Sequence, residues 1–214
     1  MTTIMSNKPK YDTREKWLLE AVSLMAPLFE AKGYKVPEKL RVSCGWPSAR
    51  GLSKKNPTIG QCWSNEAASD KINQIFISPI LNTPVEKFGI LDVLAHEVAH
   101  AVVGIKEGHN KVFGKCVRAI GLEGKLTSTY GGKEFIEQAE KWSAKLGPYP
   151  HGKLSGLKSP VKKQTTRLIK CECSKCEYVA RVTRKWLEFG APVCPLKGHG
   201  PMKFDESVLE GDDE

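Results

Sequence analysis

The stretch AHEVAHAVVGIKEGHNKVF, residues 95–113, holds three of the five histidines in a chain of 214 residues. His96 and His100 are four apart, so on a helix they project from one face, one turn apart. Glu97 points about 100° around the axis from His96. It is badly placed to join the same ligand set but can reach a water held there. This is the physical content of the H-E-x-x-H pattern. The helix around it is mostly apolar, with Val93, Leu94, Val98, Ala99, Val102 and Val103. Two imidazoles and a carboxylate buried there without a partner would be costly, and a cation offsets that cost. The alternative is a pair of hydrogen-bonded core histidines with no ligand role.

A Zn²⁺ with three protein ligands keeps one position open, where bound water has its pKa lowered to roughly 7. Glu97 would take a proton from that water and pass it to a leaving amine. His109 is the candidate third ligand. It lies nine residues beyond His100, and Gly104 and Gly108 in the intervening AVVGIKEG allow the chain to turn back. Phe113, four residues later, is placed to wedge that turn against the core.

Outward from this stretch, the apolar spacing of Leu18, Val22, Met25 and Phe29 predicts a helix over 12–32, with Pro27 as a possible break and Gly33 as a stop. KLRVSCGW, TIGQCW and INQIFISPI read as three short strands. A polar, basic loop, PSARGLSKKNP, separates the first two. Thr83, Pro84 and Glu86 resemble a capping box, predicting that the H-E-x-x-H helix spans 84–103. Further helices are expected over 110–120 and 133–146.

At this point the residues resemble a known family. His96-Glu97-Val98-Ala99-His100, then Gly108-His109, then Phe113, is similar to the SprT-like zinc metallopeptidases, which include the eukaryotic Spartan protease. The likeness covers roughly 12–129 together with a cysteine-bearing C-terminal unit. It implies an α+β, zincin-like metalloprotease domain followed by a small zinc ribbon. It also implies zinc ligands at His96, His100 and His109, with Glu97 as general base. Its substrates would be proteins at or near DNA, and Spartan-like members remove proteins crosslinked to it. The metzincin layout is the obvious competitor, but it places its third histidine six residues after the second, and position 106 here is lysine. Tyr130 and His151 are candidates for oxyanion stabilisation by residue type alone.

Four of the seven cysteines crowd the C-terminal quarter. Cys173 and Cys176 form a two-residue-spaced knuckle and Cys194 begins a second, as in a zinc ribbon. Position 197 is lysine rather than cysteine. His199 is the first choice for the fourth ligand and Cys171 the second, although Cys171 would crowd Cys173 on one strand face. Residues 178–186 alternate like a hairpin strand. Arg181, Arg184 and Lys185 are read as nucleic-acid contacts, whereas Tyr178 and Trp186 are expected to form the core of the small unit. Cys44, Cys62 and Cys116 read as small hydrophobes.

The expected organisation is a catalytic domain over 10–146, a basic Gly/Pro linker over 147–166, a ribbon over 167–204 and an acidic tail over 205–214. The chain carries a formal +9, with ten Lys and Arg against three Glu in residues 151–190. A field of that sign attracts polyanions, and DNA, single-stranded DNA included, is the expected partner. The acidic tail is a candidate cover for the basic ribbon. No apolar run approaches the length of a membrane span, and the N-terminus lacks a signal-like apolar block. An intracellular, non-secreted protein, cytoplasmic or associated with nucleoid or nucleus, is therefore expected. The reading from another class is a nucleic-acid-binding adaptor on a non-catalytic zincin scaffold. An intact Glu97 argues against it, because a scaffold needs ligands but no base.

Overall fold

The computed structural model describes residues 9–53, 55–155 and 168–210. It is a mixed α+β structure, divided into two compact units, Met1–Ser159 and Pro160–Glu214.

The first unit opens with α1, Arg14–Ala31, capped by Thr13, whose hydroxyl accepts from the Lys16 amide. Pro27 lies inside this helix, which runs on to Ala31 without a break. Gly33, at φ +80°, ends it, and its amide donates to the Glu30 carbonyl. Three strands follow: β1 Leu40–Cys44, β2 Gly60–Trp63 and β3 Asn73–Ile77. They form one sheet in the order β1-β3-β2, with β1 parallel and β2 antiparallel to β3, so β2 is an edge. Trp17, Met25 and Phe29 of α1 share a core with Val42, Ile75 and Ile77 of the sheet and Leu91, Leu94 and Val98 of the next helix.

That helix, α2, spans Ile90–Val103, not 84–103. The expected capping box does not form. Phe88 sits at φ +62°, a conformation that no α-helix contains, and its amide donates to the Asp92 carboxylate at 3.0 Å. Asp92, inside the first turn, thus holds the left-handed Phe88 at the helix entrance, while α2 itself has no side-chain cap. The Thr83 carbonyl instead accepts from the Ile90 amide. Helices α3, Lys111–Ala119, and α4, Lys133–Leu146, lie close to their expected places. Between them runs a hairpin that sequence reading missed, β4 Leu122–Lys125 with β5 Ser128–Gly131.

The expected linker begins as part of this unit. Arg14 is buried and its guanidinium must find acceptors. It donates to the carbonyls of Pro150 and Gly152, and Leu154 donates to the Pro79 carbonyl. Tyr149 packs edge-on against Trp17. Residues 156–167 lie outside the described residues.

The second unit pairs β6, Leu168–Glu172, with antiparallel β7, Val179–Thr183. The alternation expected over 178–186 stops at Thr183, where a short helix, α5 Arg184–Leu187, begins. A last turn, α6 Ser207–Glu210, takes up part of the expected acidic tail, and residues 211–214 lie outside the described residues. The core of the unit is Cys171, Cys173, Leu187, Cys194 and Met202. Tyr178 and Trp186 are not in it: they are 48% and 60% exposed. The expectation that they form the core therefore fails. The turn into α5 carries Trp186 out of the strand alternation, and Leu187 points inward in its place. Among the described residues, no helix is long and apolar enough to cross a membrane.

Candidate metal centres

Each residue of the histidine cluster is positioned by a separate local device. His96 and His100 sit one turn apart on α2. The helix ends at Val103, and Gly104, at φ +94°, turns the chain into a short 3-10 segment, Ile105–Glu107. Gly108, at φ +52° and ψ −134°, occupies backbone space that side chains disfavour and returns His109 to the helix. Asn110 then caps α3, its side-chain oxygen accepting from the amides of Val112 and Phe113. Phe113 is fully buried and touches all three imidazoles, stacking on His100 at 4.1 Å between ring centroids.

The result is a convergent set of nitrogens. His96 Nε2 and His100 Nε2 each lie 3.2 Å from His109 Nε2. These three residues could hold a metal ion. A single proton on His109 cannot serve both contacts at once, so hydrogen bonding alone leaves the cluster incompletely satisfied. Burial holds His96 and His100 neutral, lowering their pKa values to about 3 and about 4, with the neighbouring imidazoles adding to the effect. Neutral imidazole is the form that ligates.

Glu97 is buried on the wall of the same cleft, a cavity of about 810 Å³. Burial raises its pKa to about 8, against a hydrogen bond donated by the Cys62 amide on edge strand β2. This strand passes very near: a Cβ at Gly60 would lie 2.5 Å from Glu97 Oε1 and 2.5 Å from Val93 Cγ1. Glycine is what lets β2 close over the carboxylate.

These shifts have opposite linkage signs. The depressed histidines favour the folded state above pH 6.5 and lose that contribution as pH falls toward their folded values. The raised Glu97 acts the other way, taking stability away as pH rises from 4.5 to about 8. Metal-free protein is therefore expected to lose stability between about pH 6.5 and 8 through Glu97. Metal-free Glu97→Gln should not show that loss, so thermal midpoints of the two proteins should diverge across this window. Parallel curves would show that Glu97 is not held protonated by burial.

In the second unit the four ligand atoms of Cys173, Cys176, Cys194 and His199 lie within 4.8 Å of one another and could hold a metal ion. Cys173 Sγ is 3.5 Å from His199 Nδ1, and Cys176 Sγ is 3.6 Å from Cys194 Sγ. Amide donation from Lys175 lowers the Cys173 thiol to about 6, so it leans toward the thiolate that binds metal. Cys171 is buried outside this group, its sulfur near the Ile169 carbonyl. Of the two candidates for the fourth position, His199 is the one brought to the cluster.

Other expected site residues fall elsewhere. His151 bonds to the Asp12 carbonyl, and Tyr130 packs edge-on against Phe88; neither lines the cleft. Arg181 and Lys185 are exposed, whereas Arg184 is half-buried and donates to the Leu209 carbonyl. Sequence reading missed Cys62, Gly60, Asp92 and Thr129. Cys62 lines the cleft beside Glu97, which together with burial pushes its thiol far up, so it is no ready nucleophile. Thr127, Thr129 and Tyr130, strand-favouring types followed by Gly131 and Gly132, were the available signal for β5 and hence for Thr129. Comparison of the chain with protein families, with curated proteins and with solved structures finds no match.

Proposed function

We propose that the chain is a zinc-dependent endopeptidase of the SprT-like, zincin type, acting inside the cell on proteins bound or crosslinked to DNA. The observation that carries this reading is the convergence of His96, His100 and His109 beside the buried Glu97 in one cleft. Tetrahedral zinc with Zn–N bonds of about 2.0–2.1 Å would hold its nitrogens about 3.3–3.4 Å apart. The observed 3.2 Å separations suit such an ion. In the ribbon, Zn–S bonds of about 2.3 Å imply sulfurs about 3.8 Å apart, close to the 3.6 Å between Cys176 and Cys194.

Zinc, when bound at the histidines, supplies Lewis acidity toward water and the scissile carbonyl. His96, His100 and His109 would be the residues that hold it, in the cleft that Glu97 also lines. Glu97 takes a proton from the attacking water at its carboxylate and delivers it to the departing amine. Its raised pKa suits both halves of that exchange, and a divalent charge held nearby favours the ionised form it needs first. Edge strand β2 and residues 56–59 before it form one wall of the cleft.

The ribbon serves as a DNA tether. Arg181 and Lys185 are exposed, as are Tyr178, Trp186 and Phe189. Trp186 and Phe189 lie 6.1 Å apart between centroids, with the Lys185 ammonium near the Trp186 ring. Exposed aromatics with adjacent cations suit single-stranded DNA, where stacking contributes about 1–3 kcal/mol per base. Tethering raises the local concentration of DNA-bound protein substrates. Incubating the protein with a DNA-binding protein, with and without single-stranded DNA, tests the reading. Cleavage that a chelator stops and DNA stimulates supports it. Intact substrate in every arm, with DNA still bound, would favour the adaptor.

A further inference from the structure

The missed hairpin reaches the histidine cluster. Thr129, on β5 and only 4% exposed, places its hydroxyl oxygen 2.8 Å from His96 Nδ1. His96 Nε2 is the atom turned toward the other imidazoles. An imidazole that ligates through Nε2 carries its proton on Nδ1, so the ring donates and the Thr129 oxygen accepts.

A second tie keeps this hydroxyl in place. Asp92 lies four residues before His96 on α2, and Gly131 lies two residues after Thr129 on β5. The buried Asp92 carboxylate accepts from the Gly131 amide as well as from Phe88. Four helical residues advance about 6 Å, and two strand residues advance about 6.5 Å. The strand therefore runs in step with the helix, in the opposite direction, meeting it at Asp92–Gly131 and again at His96–Thr129. Gly131 admits no side chain here, because a Cβ would lie 2.8 Å from Asp92 Oδ1 and 2.8 Å from Phe135 Cδ1. His100 is held by other means: its ring stacks on Phe113, and its buried Nδ1 has no hydrogen-bond partner among the described residues.

We propose that Thr129 is a positioning residue of the histidine metal site, setting the tautomer and rotation of His96, with Asp92 holding β5 in register. The proposal rests on the reading that His96, His100 and His109 bind a divalent cation. Loss of a hydrogen-bond partner behind a metal-bound histidine typically weakens metal binding about 10–100-fold.

Cobalt(II) titration of the full chain tests it, because the two sites have different spectra. The thiolates of the ribbon give intense sulfur-to-metal charge transfer, whereas an all-nitrogen site gives only weak visible bands. Thr129→Val should weaken cobalt binding at the histidines about 10–100-fold, and Thr129→Ser, which restores the hydroxyl, should recover it. The ribbon band should be unchanged in both. If the valine variant does not fold, Thr129→Ala removes the same hydroxyl with less bulk and carries the same expectation. Wild-type affinity in a variant lacking the hydroxyl overturns the role of Thr129 alone. A wild-type chain whose nitrogen-site bands match those of His100→Ala overturns the metal reading itself.

Discussion

Glu97→Gln should lower peptide hydrolysis by about 10²–10⁴-fold while leaving fold and metal content unchanged. The substitution keeps the side chain's size and an oxygen that can still accept from the Cys62 amide, the hydrogen bond Glu97 holds now. It removes only the capacity to take and return a proton. A larger change such as Glu97→Ala would also leave that amide without its partner beneath β2, at a cost of about 1–3 kcal/mol. The glutamine variant therefore separates chemistry from structure. Turnover on a protein substrate, measured beside metal content, checks the expectation. Unchanged turnover would remove Glu97 from the mechanism.

Loss of any one ribbon ligand should unfold the second unit and leave the first intact. The described part of that unit is about forty residues, and its buried core is five side chains, two of them the candidate ligands Cys173 and Cys194. Apolar burial on that scale does not hold a domain together. A structural zinc contributes roughly 10–16 kcal/mol of apparent binding free energy, most of which here would be folding free energy. Cys194→Ser and His199→Ala should both collapse the amide dispersion of residues 168–210 in NMR spectra, with first-unit resonances still dispersed. Cys171→Ser should not, since that sulfur stands outside the cluster. Dispersed ribbon resonances in His199→Ala would return the fourth position to Cys171. With the ribbon unfolded, DNA binding should fall with it.

The parts of this architecture legible in the sequence are those that depend on short-range spacing. The four-residue step from His96 to His100 sets them on one helical face wherever the helix begins. The apolar period of α4 and the glycines around it mark 133–146 without reference to tertiary structure. The spacing of Cys194 and His199 was enough to nominate the ligand that reaches the cluster. What was not legible depends on long-range partners. The start of α2 is decided by Phe88 turning left-handed and by Asp92 bonding to both Phe88 and Gly131, and neither shows as a local cap. Thr129 looks like an ordinary strand residue until β5 is laid along α2. Trp186 and Tyr178 misled because a tiny unit was expected to bury its aromatics, whereas its sulfur atoms and Leu187 fill the centre.

The most direct test of the central claim is the metal content of the purified chain, measured for wild type and for His100→Ala. The account predicts two zinc ions in the wild type and one in the variant, the remaining ion held by Cys173, Cys176, Cys194 and His199. A single ion in both proteins would contradict it, because the histidines of α2 and its returning loop would then hold no metal.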